Sequence, residues 1–241
     1  MKHAMLFAVT MLLTSLLQAG HHEEGVKPIY QFYHFNAPDP AAVVSAMDKF
    51  AASDCGKQMP ANIALSAELY NGSDNATHFI IVGFASHADR VKAEALQATC
   101  PAASVFNASM QKAGVTRTSE RLAQAVVEVK DWSQDTTFMK FDFQVAPENV
   151  SAFLSAWTKL TNAAVKAGHL TNSYGLEGII AGSKDFSHFV YIGHTDSAAL
   201  VENFAKVSAS SAYAEYSKAV ANLRTSVNTS MIQIVKSWPR Q

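Results

Sequence analysis

The sequence predicts an α+β protein made of two βαββαβ repeats whose antiparallel sheets pack face to face. Three observations carry this. The segments HFIIVGFAS (78–86) and HFVYIGHTD (188–196) match 110 positions apart. The fragments flanking them match in the same order. Finally, 49% of the chain is hydrophobic and only 16% charged, so it can bury a substantial core.

Upstream, SAMDKF (45–50) faces SAWTKL (155–160), Asn62 faces Asn172, and Gly72-Ser73 faces Gly182-Ser183. Downstream, VVEVKDW (126–132) faces IQIVKSW (232–238), now 106 positions apart. The starts YQFYHFNAPDP (30–40) and FMKFDFQVAPEN (138–149) share an aromatic-alternating run followed by Ala-Pro-Asp/Glu. Two copies of about 100 residues are a duplicated domain rather than a solenoid.

Each copy parses alike. Residues 30–36 alternate aromatic and polar, as a half-buried strand does. Asp39 can cap a helix, and Pro40 suits its first position. Val43, Val44, Met47 and Phe50 then recur at helical spacing through 40–54, as do Phe153, Leu154, Trp157, Leu160 and Val165 within 147–167. A second strand at 62–70 meets a third at 77–84 through the turn-forming Asn71-Gly72-Ser73-Asp74-Asn75. Helices follow at 87–98 and 103–114, and a last strand at 124–130 closes the copy at Trp132. The polar DWSQDTT (131–137) links the copies. The expected division is a signal peptide at 1–19, a flexible segment at 20–29, and repeats at 30–132 and 137–238.

That order is the split βαβ, ferredoxin-like unit. Its sheet is covered by helices on one face only, so the other face needs a partner, which the second copy supplies. The layout resembles the dimeric α+β barrel superfamily, which includes antibiotic-biosynthesis-type monooxygenases and their heme-degrading relatives. SSAYAEYSKAV (210–220), before the final strand, looks like the late helix of that group. The resemblance implies a pseudo-dimeric α+β barrel within one chain. It rests on element order and duplication, so it speaks to fold more than to function.

The opening MKHAMLFAVTMLLTSLLQAG reads as a cleaved secretory signal, since its apolar run is too short for a bilayer span. A periplasmic or secreted protein is expected. With a formal net charge of −1 and no Lys/Arg run, neither nucleic acid nor a membrane is an expected partner. Cys55 and Cys100, the two cysteines, are most simply a disulfide in an oxidising compartment. The five Asn-X-Ser/Thr sequons matter only in a glycosylating host.

Strand alternation selects the candidate site. Tyr33 and Phe35 align with Phe141 and Phe143 as an apolar set. The opposite set is Phe32, His34 and Asn36 in the first copy, and Lys140, Asp142 and Gln144 in the second. Polar residues on an enclosed strand face are informative. His34 and Asp142 occupy equivalent positions and, if both enter a shared cavity, the carboxylate raises the histidine pKa and the pair handles protons. The alternative is a solvated rim. His78 and His188 start equivalent strands and suit a turn-capping role. Gly83 and Gly193 suit a close backbone approach. His194 replaces Phe84 and shares a face with His188, Val190 and Ile192. It is a copy-specific pocket group if that face is the inner one, and a strand-end histidine otherwise. Glu68 and Tyr174 lie on second strands and could add to such a pocket if they face it. The candidates are therefore His34, Asp142 and His194 for catalysis, with Phe32, Lys140, Tyr174 and Phe84 as ligand contacts.

No nucleophile elbow, P-loop, dinucleotide fingerprint or HExxH occurs, and no histidine spacing selects a heme ligand, so no cofactor is expected. Cleavage after Ala19 would leave Gly20-His21-His22, whose amino terminus and His22 offer four nitrogens to Cu(II) or Ni(II). A polar spacer is the alternative. Three functions follow: a small-molecule-binding barrel, a cofactor-independent oxygenase or isomerase, and a protein-interaction module marked by an apolar patch and no cavity. A monomer with an internal pseudo-twofold is expected.

Overall fold

A computed structural model describes residues 27–72 and 74–240. The expected signal peptide and the candidate metal ligand His22 lie outside the described residues.

Fourteen elements follow one another in two like series. The first is β1 (Ile29–Asn36), α1 (Pro40–Ala52), β2 (Asn62–Tyr70), β3 (His78–Phe84), α2 (His87–Thr99), α3 (Pro101–Lys112) and β4 (Thr116–Val129). The second is β5 (Thr137–Val145), α4 (Val150–Lys166), β6 (Tyr174–Ala181), β7 (His188–His194), α5 (Ser197–Ser208), α6 (Ser211–Val220) and β8 (Arg224–Trp238). The strands close into a barrel in the order β1-β3-β2-β8-β5-β7-β6-β4, every described pair antiparallel. β4 therefore borders β6, and β8 borders β2, so each series lends its last strand to the other.

Local chemistry sets the helices. Asp39 accepts from the Ala42 amide at 3.0 Å while Pro40 opens α1, as its sequence predicts. Val43, Met47 and Phe50 of α1 join Phe35, Leu65 and Val82 in a core on the outer face of the first sheet. Phe153, Trp157 and Leu160 of α4 do the same against Phe143, Leu176 and Val190. A third cluster fills the barrel itself, with Tyr30, Phe32, Phe79, Trp132, Phe138 and Phe189. Cys55 and Cys100 form a disulfide that ties the segment after α1 to the junction of α2 and α3.

Two sequence expectations change. β4 begins at Thr116, eight residues before the predicted 124, because the polar run TRTSERLA is held by pairing with β1 rather than by its own propensity. Trp132 and Trp238, matched in the sequence, are not equivalent in the fold. Trp238 pairs opposite Ile63 and its indole donates to Asp48 at 2.9 Å, on the helix side. Ile63 pairs with Val82 and Tyr174 with the matching Ile192, so the fold equates Ile63 with Tyr174, one residue off the sequence match of Asn62 with Asn172. The residue opposite Tyr174 is Val129. Trp132 lies beyond β4 in a short 3-10 turn (Trp132–Gln134), with its ring in the barrel cluster.

Candidate functional site

Alternation along the strands sends Tyr30, Phe32 and His34 of β1 and Phe138, Lys140 and Asp142 of β5 into the barrel, opposite to the residues that meet the helices. The matching glycines of the two nine-residue segments find their explanation here. Gly83 pairs with Tyr30, and Gly193 pairs with Phe138. A Cβ at Gly83 would stand 2.8 Å from the Tyr30 ring, and one at Gly193 would stand 2.7 Å from the Phe138 ring. Each glycine leaves room for an inward aromatic ring on the next strand. Gly175 does the same for Tyr191, whose ring would be 2.5 Å from a Cβ there.

The interior has two chemically distinct regions. The first is aromatic and acidic. Tyr30 donates its hydroxyl to Glu128 at 2.6 Å, and the Trp132 indole donates to the Tyr30 oxygen at 3.2 Å. Phe138 and Tyr191 meet edge to face. Glu177, only 1% exposed, has no hydrogen-bond partner on either carboxyl oxygen among the described residues. Burial, reinforced by Glu128, drives its pKa well above the usual carboxylate range. Burial and the same carboxyls raise the Tyr30 and Tyr191 hydroxyls. Ser66 and Tyr191 also present hydroxyls without a partner among the described residues. Tyr30, Ser66, Trp132, Phe138, Glu177 and Tyr191, with Phe32, Phe79, Phe189 and Lys140, line a cavity of about 60 Å³. On that measure it has room for roughly four to six waters, or a ligand of a few heavy atoms.

The second region is charged. His34 is 3% exposed and stacks on Phe79, while Nη1 of Arg121 lies 3.1 Å from its Nε2. A guanidinium only donates, so that nitrogen accepts and the imidazole is neutral. Burial, with Arg121 and Lys140 adding positive charge, lowers the His34 pKa to about 3 against the opposing Asp74. Glu68 approaches His34 at 3.8 Å. Burial raises its carboxyl to about 7, with Asp74 and Asp142 adding to the rise and Lys140 and Arg121 opposing it. Lys140 pairs with Asp142 and lies over the rings of Phe186 and Phe189. Arg121 bonds Asp74 at 3.4 Å and also lies over the Phe186 ring.

The structure thus brings together His34, Asp142, Phe32 and Lys140, and adds Glu68. His34 and Asp142 are enclosed, not solvated at a rim. The expected rise in the histidine pKa is reversed, because desolvation and two cations outweigh the carboxyl groups. Three candidates lie elsewhere. His194 is on the helix-facing side with Val190 and Ile192, and its Nδ1 accepts from the Asp196 amide at 3.0 Å, shaping the turn into α5. Phe84 is buried in the outer core beside α1, and Tyr174 in that beside α4. Strand parity places all three outside the barrel. His78 and His188 bond the hydroxyls of Thr77 and Ser187, each at 2.9 Å. Those hydroxyls in turn accept from Ala37 and Val145, at 2.9 and 3.0 Å, so both histidines serve the turns after β1 and β5.

Sequence reasoning missed Glu177, Tyr30, Tyr191, Trp132 and Arg121. The signal for Glu177 was present: one carboxylate between glycines in the strand YGLEGIIA. Trp132 was hidden because DWSQDTT reads as a polar linker, whereas Asp135 within it is buried and accepts from the Ser173 amide at 3.0 Å. Among the described residues there is no group of three metal-ligating side chains, and no helix is long and apolar enough to cross a membrane.

No family model matches the chain, and no curated protein is significantly similar to it. Solved structures do share its fold. A candidate monooxygenase from Lactobacillus acidophilus superposes with a TM-score of 0.60 at 12% identity, over 89% of this chain and 97% of that one. An anthrone oxidase-like protein gives 0.58 at 13%, over 90% and 94%. A heme-binding protein from Thermus thermophilus gives 0.50 at 7%, over 87% and 92%. At these identities the likeness establishes the fold, the α+β barrel, and leaves the chemistry to this chain's own residues.

Proposed function

We propose that this protein binds a small organic molecule inside the barrel, against Tyr30, Phe32, Phe138, Phe189 and Tyr191. The observation that carries this is the convergence of three polar side chains, Ser66, Glu177 and Tyr191, on one apolar-walled cavity, all unpartnered among the described residues. Buried polar groups are ordinarily satisfied within the protein, and a ligand or water supplies what is missing here. The cavity also removes the sign by which an interaction module was to be recognised. In this reading the chain arose by tandem duplication, is exported, and works as a monomer.

Heme does not suit this cavity. No histidine lines it, and its volume is far below that of a macrocycle. The test is native mass spectrometry and ligand titration with amines and alcohols of a few heavy atoms, on the wild type and on Ile81→Trp, which fills the cavity. Uptake by the wild type and its loss in the folded variant support the proposal. Equal uptake by both overturns it.

A second reading is an enzyme of the cofactor-independent oxygenase or isomerase type. It is favoured by Glu68, whose carboxyl titrates near neutrality beside neutral His34 and keeps one oxygen unpartnered among the described residues. Asp142 and Lys140 then set the local charge, and His194 has no part. Oxygen uptake or isomerisation of phenolic and enolisable compounds, abolished by both Glu68→Gln and His34→Ala, supports it. Turnover that survives both substitutions sinks it.

A further inference from the structure

We propose that the aromatic and acidic region of the barrel is a site for a small organic cation, an amine whose ammonium group pairs with Glu177 within a cage of Tyr30, Trp132, Phe138 and Tyr191. This rests on the reading of the interior as a ligand cavity and names the class of ligand.

Charge is the first argument. The charged groups acting on Glu177 and Glu128 are all acidic: Glu177 feels Glu128, and Glu128 feels Asp131 from the inter-repeat segment. Tyr191 beside them feels Asp135 from the same segment. Neither glutamate is in an ion pair among the described residues. Lys140 lines the same cavity, but its ammonium is held by Asp142 and by two phenylalanine rings in the charged region. Arg121 is likewise committed to His34 and Asp74. These two cations are satisfied, and the buried Glu177 carboxyl is not.

The walls are the second argument. Aromatic faces carry negative quadrupole density and attract cations, more strongly when water is excluded. Tyr30 is locked by its bonds to Glu128 and Trp132, so this wall is preorganised and its hydroxyl is already used. Glycines at 83, 175 and 193 are what allow the rings of Tyr30, Tyr191 and Phe138 to stand there. A neutral ligand would fill the space and leave Glu177 protonated, with no charge to pair. An ammonium supplies hydrogen bonds, charge and cation–π contacts together.

Without ligand Glu177 is held protonated by burial. An ammonium entering the cage ionises it, and that proton leaves to the solvent. The test is calorimetric titration of the full processed chain with n-propylamine and with its neutral isostere n-propanol, in buffers of different ionisation enthalpy. The amine is expected to bind about tenfold or more tighter than the alcohol. It should release about one proton on binding at pH 7, and the alcohol none. Glu177→Gln should abolish both the preference and the proton release. Alcohol binding as tight as amine binding, or amine binding without proton release, overturns the cation site and leaves the ligand cavity standing. No binding of either compound up to about 10 mM overturns both readings. The preference and the proton count are read on the wild type, so a Glu177→Gln chain that folds poorly does not leave the question open.

Discussion

Gly83 lies directly across the ladder from Tyr30, and the tyrosine ring occupies the space a side chain at Gly83 would need. The ring cannot retreat without breaking its bonds to Glu128 and Trp132. Gly83→Ala should therefore destabilise the protein by about 1–3 kcal/mol in denaturant unfolding. It should also change the fluorescence of Trp132. A variant as stable as the wild type would show that the ring is free to move.

His34 binds a proton far more weakly when folded than when unfolded. Its pKa falls from the ordinary 6.5 to about 3, mainly through burial. Folding is thus favoured by the neutral ring above pH 6.5, and that advantage drains away as the pH drops towards 3. His34→Gln, which still accepts from Arg121, should lose about 3–5 kcal/mol less stability than the wild type across that window. Nuclear magnetic resonance should find the His34 ring neutral at pH 5. A midpoint near 6.5 would refute the assignment.

Glu68 has the opposite sign. Its folded pKa of about 7 lies above the ordinary 4.5, so its contribution is fully present below pH 4.5 and is lost as the pH rises through 7. Glu68→Gln should raise stability at pH 8 by about 1–3 kcal/mol and leave it nearly unchanged at pH 4. Thermal unfolding at the two pH values separates this from a general packing effect, which would appear at both.

The Cys55–Cys100 bridge closes a loop of 45 residues around β2, β3 and α2. In the chain-entropy model its removal costs about 3–4 kcal/mol. Unfolding of Cys55→Ser/Cys100→Ala should show that loss, with an unchanged circular dichroism spectrum below the transition. Equal stability with and without the bridge would mean that the unfolded chain gains nothing by its release.

Much of this was legible in the residues. Alternation along YQFYHFN and FMKFDFQ put His34 and Asp142 on a common inner face, and burial at 3% and 4% agrees with it. Parity is also where the reading failed. On β6, Tyr174 and Glu177 are three apart and so face opposite ways, and taking Tyr174 as inward hid the buried carboxyl. The same one-residue choice on β3 and β7 assigned Phe84 and His194 to the wrong side. Parity is settled by what each strand pairs with, and for β2, β4, β6 and β8 one of the two partners lies in the other half of the chain. Bulges such as that between His34 and Phe35 shift it again. Local sequence cannot encode either.

The exchange of last strands has a consequence for synthesis. β2 waits for β8, so Ile63 leaves the ribosome long before Trp238, its eventual neighbour, has been translated. Until then the first half holds an open sheet edge and an uncovered inner face carrying Phe32 and Phe79. Such an edge is a template for wrong pairing. The nascent chain therefore stays open to wrong pairing until β8 has been made. Loss of the final strand would leave both halves unsealed at one stroke, since β8 also borders β5.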